Sequence, residues 1–184
     1  MAIEEAAYTV VQRDGAFELR DYAPQVVAET IVAGDLEGAG TKAFRPLFRY
    51  ISGQNRPGVK LAMTAPVSQE PARQKIPMTA PVGQEPVPGG WAVSFMMPTA
   101  FTLETLPEPA DPAVRLRQVP ARRVAAVRYT GVWSEKSYRR HKASLESWIR
   151  ENGWTVAGAA VWARYNAPFT PWFLRRNEIL IPVS

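Results

Sequence analysis

Two copies of one twelve-residue segment lie about a third of the way along the chain, KLAMTAPVSQEP at residues 60–71 and KIPMTAPVGQEP at residues 75–86. With the two-residue period of a strand, the apolar side chains of each copy share one face. The repeat therefore predicts a hairpin that turns around Glu70 and Pro71 and places Met63 opposite Met78. Because each proline removes a backbone donor, we expect both strands at an edge of their sheet.

Alternating apolar residues predict further strands at residues 8–13, 17–22, 25–33, 91–97, 114–118, 122–129, 158–165 and 178–183. Two amphipathic segments predict helices, one capped by Asp35 and ending near Gly53, the other capped by Ser134 and ending near Gly153. Pro46 lies inside the first pattern, so that helix should kink there or begin its regular part close to it.

The order strand–helix–strand–strand occurs once around each predicted helix. This duplication predicts an α+β fold, a distorted antiparallel β-barrel with two long helices packed outside. No long polar linker divides the chain, so we expect residues 1–184 to form a single domain.

Composition excludes several kinds of chemistry. The 184 residues include no cysteine, which excludes disulfides, thiolate catalysis, zinc–thiolate sites and cysteine-ligated haem. The N-terminal residues lack the pattern of a signal peptide, and no apolar run reaches the length of a transmembrane helix. We therefore expect a soluble cytoplasmic protein without membrane insertion.

The net charge of +5 is concentrated in the second half of the chain. A basic half can attract nucleic acid, anionic lipid or an anionic small molecule. The arginines nevertheless occur in scattered pairs with no nucleic-acid-binding motif around them, so we expect a solvated basic face and no nucleic-acid partner.

No motif for an enzyme is present. We find no nucleophile with a base, carboxylate pair, phosphate loop or nucleotide fingerprint, and we expect no catalytic activity. Glu178 is the one acidic residue inside the apolar closing strand. It either points inward, where it could hold a cation or act as a base with a raised pKa, or forms an ion pair with Arg175 or Arg176.

Metal ligands are few. His141, the only histidine, borders the apolar stripe of the second helix, where it is either a haem ligand or a partly exposed residue with an ordinary hydrogen bond. Without a second histidine or a cysteine, a structural zinc site is excluded. Four methionines could supply a thioether to iron, line an adaptable pocket or fill the core: Met63, Met78, Met96 and Met97.

The first helix carries an apolar stripe that includes Phe44, Leu47 and Phe48. This stripe is either wholly buried or borders a cleft in which a flat apolar ligand could lie against the phenyl rings. In the second case, nearby cations are candidates to pair with carboxylates of the ligand, and otherwise they are solvated. These cations are Arg45, Arg49, Lys60 and Arg176.

Several motifs in one order resemble the SOUL/heme-binding protein family over nearly the whole chain. They are YISGQN at 50–55, MTAPV at 63–67 and 78–82, VSF at 93–95, YTG at 129–131, ARYNAP at 163–168 and RRNE at 175–178. The resemblance implies the same barrel with two helices. It also implies non-covalent binding of haem or another tetrapyrrole in an apolar cleft beside the first helix.

The resemblance further implies which residues form that cleft. They are Phe44, Leu47, Phe48, Arg49, Met63, Phe169 and Thr170. Phe44 and Phe48 would cover the macrocycle, and Arg49 would meet a propionate. The resemblance supplies no dependable axial ligand, so we expect a largely hydrophobic contact.

The leading hypothesis is a carrier or buffer of haem that performs no chemistry of its own. The fold is also similar to the effector-binding domains of bacterial transcription regulators, which take up cationic or aromatic molecules against an inward glutamate. A stand-alone effector-binding module using Glu178 is therefore the alternative, and a hydrolase or isomerase with Glu178 as base is a third. An inward Glu178 facing an open cavity favours these two. A Glu178 paired with arginine at the surface, beside an open cleft at Phe44 and Phe48, favours the first.

Overall fold

A computed structural model describes residues 2–56 and 73–184. Its helices are α1 (Leu36–Ile51), α2 (Glu135–Glu151) and a 3-10 turn at Trp172–Leu174. Its strands are β1 (Glu4–Glu5), β2 (Tyr8–Asp14), β3 (Phe17–Tyr22), β4 (Gln25–Val32), β5 (Asn55–Arg56), β6 (Thr79–Ala80), β7 (Val82–Val87), β8 (Gly90–Met96), β9 (Glu108–Pro109), β10 (Arg115–Val119), β11 (Arg122–Thr130), β12 (Val161–Arg164) and β13 (Arg176–Pro182).

The main sheet has nine strands in the order β10-β4-β8-β7-β12-β13-β11-β3-β2, and all neighbours in it are antiparallel. The order is symmetric about the β7–β12 pair, because β4-α1-β7-β8 and β11-α2-β12-β13 are equivalent units. The strand that precedes each unit pairs with the other unit. Strand β3 precedes the first unit and pairs with β11, and β10 precedes the second unit and pairs with β4. The sheet curls into a half-barrel. The predicted α+β fold and its duplicated unit are confirmed.

The helix ends follow local capping rules. The side chain of Asp35 accepts a hydrogen bond from the backbone N–H of Gly38 at 2.6 Å, and Ser134 accepts one from Ser137 at 3.2 Å. Beyond α1, Gly53 adopts a φ of +106°, which favours glycine. Helix α1 runs through Pro46, so the alternative of a helix beginning near that residue is wrong.

Each helix packs on the sheet strands of its own unit. Helix α1 lies on β4 and β8, where Leu47 is fully buried in a cluster with Tyr50 and Phe95. Helix α2 lies on β11 and β13, around a second cluster that contains Leu145 and Trp162. No helix in the described residues is long and apolar enough to cross a membrane.

The prediction that the second copy of the repeat lies at an edge is wrong for β7, whereas β6 is an edge strand of a two-stranded sheet. Strand β6 pairs with β1 outside the main sheet, and β7 lies at the centre between β8 and β12. The three prolines of this copy avoid the ladder with β12. Pro77 precedes β6, Pro81 precedes β7, and Pro86 follows Gln84, the last residue of β7 that pairs with β12. The first copy, with Met63, Lys60 and the predicted turn at Glu70 and Pro71, lies outside the described residues.

Replacing Leu47 by alanine should lower the free energy of unfolding by about 2–5 kcal/mol, because a fully buried side chain leaves a cavity. Phe48→Ala is the matched control on the same helix. About half of its surface is already exposed, so its loss should be about 1 kcal/mol. Urea unfolding measures both values, and equal losses would contradict this assignment of the two faces.

Candidate ligand-binding site

Helix α1 presents two stacked phenyl rings to the surface. Phe44 is 38% exposed and Phe48 is 47% exposed, and their ring centroids lie 5.5 Å apart with an interplanar angle of 14°. Phe44 also packs edge-on against Phe95, with centroids 5.5 Å apart. Large apolar side chains that stay exposed together indicate a contact surface.

Beside Phe44 lies a cavity of about 300 Å³, which we call the α1 cavity. It is formed by α1, by facing residues of β7 and β12, by Trp133 ahead of α2 and by the loop after β12. Its lining residues are Glu37, Gly40, Thr41, Phe44, Val82, Trp133, Arg164, Asn166 and Pro168. The volume is at the lower end of the range for small-molecule sites, about 300–1,000 Å³.

Arg164 brings a largely buried positive charge to the α1 cavity. Its Nη2 donates to the Oε1 of Gln84 at 3.1 Å, while its Nε is buried and has no hydrogen-bond partner within residues 2–56 and 73–184. The guanidinium carbon lies 4.9 Å from the ring centroid of Trp162 and 5.3 Å from that of Trp133. Burial lowers the pKa of Arg164 to about 10, so the side chain is still charged at neutral pH.

The loop after β12 is held at the mouth of the cavity by Arg175. Its Nε donates to the carbonyl of Thr170 at 2.8 Å, and its Nη2 donates to the carbonyl of Pro168 at 2.7 Å. The guanidinium also lies 4.4 Å from the ring centroid of Trp133. Between the two carbonyls, Phe169 is 89% exposed. The loop therefore presents an aromatic side chain next to the cavity.

The predicted cleft residues do not all come together. Phe44 lines the α1 cavity, Phe48 stacks on it, and Phe169 and Thr170 follow its lining residue Pro168. Leu47 is buried in the core beneath them. Arg49 lines a separate depression with Pro46, Tyr50, Gln54 and residues 109–111. Met63 lies outside the described residues.

Met78 and His141 both lie outside the lining of the α1 cavity. Met78 is partly buried against the core cluster that contains Leu47. The Nδ1 of His141 lies 2.8 Å from the carbonyl of Ser137, to which it donates, and the imidazole stacks on Tyr129 with centroids 3.8 Å apart. The described residues contain no group of three or more His, Cys, Asp or Glu that could hold a metal ion.

Glu178 is fully buried and closely paired. Its Oε2 accepts hydrogen bonds from Arg20 at 2.7 Å and from the hydroxyl of Tyr165 at 2.8 Å. Its Oε1 accepts from Arg20 at 3.1 Å and from Arg176 at 3.0 Å. Burial acts to raise the pKa of Glu178, but the hydrogen bonds and charges of the two arginines outweigh it and hold the pKa below its ordinary value.

Glu178 therefore points inward and is also ion-paired; the predicted partner Arg176 is confirmed, but the second partner is Arg20 and not Arg175. Both of its oxygens accept several hydrogen bonds, and it lines neither the α1 cavity nor a second cavity on the sheet. A carboxylate in this setting is poorly suited to act as a base, because its lowered pKa and its bonds favour the ionised, bonded form.

Sequence reasoning missed Arg164, Gly40 and Trp133 as site residues. The available signal was an arginine that ends an otherwise apolar strand, two residues after Trp162 and so on the same strand face. Gly40 carries no such signal, although a Cβ there would overlap the guanidinium of Arg164. Only the tertiary packing of α1 against β12 gives Gly40 this role.

A sequence model of the SOUL heme-binding protein family matches residues 3–182. The chain belongs to the SOUL heme-binding protein family, as the resemblance of its motifs predicted. A search of curated proteins finds no match.

Solved structures share the fold at low sequence identity. The C-terminal domain of EcmrR is similar with a TM-score of 0.64 and 13% identity, over 96% of this chain and 98% of that one. A hydrolase from Listeria innocua is similar with a TM-score of 0.61 and 13% identity, over 95% and 94% of the two chains. At these identities the likeness concerns the fold alone.

Glu178→Gln should lower the free energy of unfolding at pH 7 by about 3 kcal/mol or more, because it leaves Arg20 and Arg176 facing a neutral group inside the protein. The control is Asp21→Asn, which breaks the solvent-exposed pair with Arg123 and should leave stability almost unchanged. Urea unfolding measures both, and equal effects would contradict a structural role for Glu178.

The carboxylate of Glu178 should also make the free energy of unfolding depend on pH. Since the pKa of Glu178 is held below its ordinary 4.5, its contribution is complete above about pH 4.5 and is lost as the pH falls through the folded-state value. In unfolding curves between about pH 3 and pH 7, the difference between wild type and Glu178→Gln should therefore shrink towards low pH. If the difference in the free energy of unfolding between wild type and Glu178→Gln grows as the pH falls, this prediction is wrong.

Proposed function

We propose that the protein binds haem or another tetrapyrrole non-covalently at the α1 cavity and acts as a cytoplasmic carrier or buffer. The observation that carries the proposal is the stacked, exposed pair of Phe44 and Phe48 beside a cavity, in a chain that belongs to a heme-binding family. The flat face of a macrocycle can stack on the ring surface that this pair leaves exposed. The tetrapyrrole is cargo in this proposal, and the protein performs no chemistry on it.

The side chains fit the ring better than they fit a metal. Phe44, Val82 and Trp133 supply apolar contact for one edge of a macrocycle. Phe48, which stacks on Phe44, and the exposed Phe169, which follows the lining residue Pro168, are further aromatic side chains near the cavity. Among residues 2–56 and 73–184, none of those that line the cavity is a histidine, methionine, cysteine or tyrosine, so this part of the lining offers no axial ligand. Binding through the ring in an open site suits reversible loading and release.

A small-molecule effector-binding module is the second candidate. It is supported by another cavity, of about 290 Å³, on the sheet between β4, β7 and β11, whose lining includes Tyr22, Met96 and Glu85. Burial raises the pKa of Glu85, with Arg117 acting in the opposite direction. Glu178, the glutamate expected for this role, does not line that cavity.

Haemin titration followed by its Soret absorbance tests the proposed site. Wild type should saturate near one equivalent, and Phe44→Ala and Phe48→Ala should each weaken binding by about five- to tenfold through loss of ring contact. His141→Ala should bind like wild type, because that residue lies outside the cavity lining. Loss through His141→Ala alone would move the site to α2. If haemin affinity is unchanged in both phenylalanine variants, the effector-binding candidate would be favoured instead.

Metal-free protoporphyrin IX and haemin should bind with dissociation constants within about threefold of each other, because the ring and not the iron makes the contacts. Quenching of tryptophan fluorescence measures both, since Trp133 lines the cavity. A preference for haemin of more than about 100-fold would mean that a protein ligand reaches the iron and would contradict ring-only binding.

A further inference from the structure

We propose that Arg164 binds a carboxylate of the ligand in the α1 cavity, so that the site selects planar aromatic molecules that carry a free carboxylate. The inference rests on the proposed function of that cavity. It assigns to Arg164 the contact that the family resemblance gave to Arg49, which lines a different depression.

The first argument is charge. Some arginines of the described residues, such as Arg20, Arg123 and Arg176, lie within 4.0 Å of a carboxylate, whereas others do not. Within residues 2–56 and 73–184, the guanidinium of Arg164 has no such neighbour, and its one hydrogen bond goes to the neutral amide of Gln84. A buried cation without a counter-ion is unfavourable, so a carboxylate that reaches it is favoured.

The second argument is geometry. Arg164 lines the cavity directly, with Trp133 as its neighbour in the lining and Trp162 at its back. The Nε is buried out of a ligand's reach, so a carboxylate in the cavity would bind the Nη groups through charge-assisted hydrogen bonds. An aromatic ligand that packs on Phe44 can therefore place a carboxylate at the guanidinium in the same cavity.

The third argument is that neighbouring residues hold the guanidinium without neutralising it. The Nε2 of Gln84 donates to the carbonyl of Leu36 at 2.7 Å, which orients its Oε1 towards Arg164. Gly40 leaves the space that the guanidinium occupies, because a Cβ there would overlap it. Glu37 is the other charged residue of the lining, and its Oε1 accepts from the backbone N–H of Glu135 at 2.8 Å.

The test compares protoporphyrin IX with its dimethyl ester, by tryptophan quenching, on the full chain. Wild type should bind the free acid about ten- to 100-fold more tightly, the range expected for a hydrogen-bonded charged pair. Arg164→Met should lose this preference while binding the ester as wild type does. Arg164→Lys should recover part of it, because an ammonium keeps the charge but not the pair of Nη groups. Arg115→Met, an exposed arginine on β10, is the matched control and should change nothing.

The outcomes separate this inference from the proposed function. Equal binding of acid and ester by wild type, which needs no folded variant, would overturn the role of Arg164 while leaving tetrapyrrole binding intact. Loss of the preference in Arg49→Met, with Arg164→Met unaffected, would also overturn it. If neither porphyrin binds, the proposed function fails. In that case, quenching by 2-naphthoate but not 2-naphthamide, abolished in Arg164→Met, would still support the carboxylate site, and its absence would overturn it.

Discussion

The two halves of the sheet meet in a ladder of three residue pairs between β7 and β12, in which Gln84 faces Trp162, Gly83 faces Ala163 and Val82 faces Arg164. A Cβ on Gly83 would lie 2.9 Å from the Oγ of Ser94 and 3.4 Å from a methyl carbon of Val161, so glycine leaves room for these two side chains. Val82 and Arg164 form one pair of this ladder and also line the α1 cavity. The β7–β12 pairing that joins the two halves of the sheet therefore also forms part of the wall of the α1 cavity.

Gln84 connects this ladder to the helix. Its side chain is fully buried, and its amide bonds both the carbonyl of Leu36 in the first turn of α1 and the guanidinium of Arg164. One uncharged side chain therefore bonds both the helix that carries Phe44 and the cation beside it. A carboxylate at this position would have neutralised Arg164 internally, whereas the amide leaves its charge for another partner.

The sequence predicted those features that depend on neighbours along the chain. The caps at Asp35 and Ser134 are local, and so both helices begin where expected. Leu47 and Arg49 needed more than sequence. Leu47 belongs to the same apolar stripe as Phe44 and Phe48, and only packing against Phe95 and Tyr50 separates the buried residue from the exposed pair. Arg49 adjoins Phe48 in sequence but lies about 100° further around the helix. Arg164 became a site residue only through contacts between distant segments.

The structure contains two kinds of buried charge, one that stabilises the fold and one that can bind a ligand. Glu178 accepts hydrogen bonds from Arg20, Arg176 and Tyr165. These bonds connect β3, β13 and the end of β12, and they satisfy both carboxylate oxygens. Arg164 has one neutral partner and faces a cavity whose apolar wall includes Phe44. A ligand at that cavity would gain from two modest contacts, ring packing and one charged pair, rather than from a bond to a metal. Binding divided in this way is reversible, because neither contact alone holds the ligand, and reversibility is what a carrier requires.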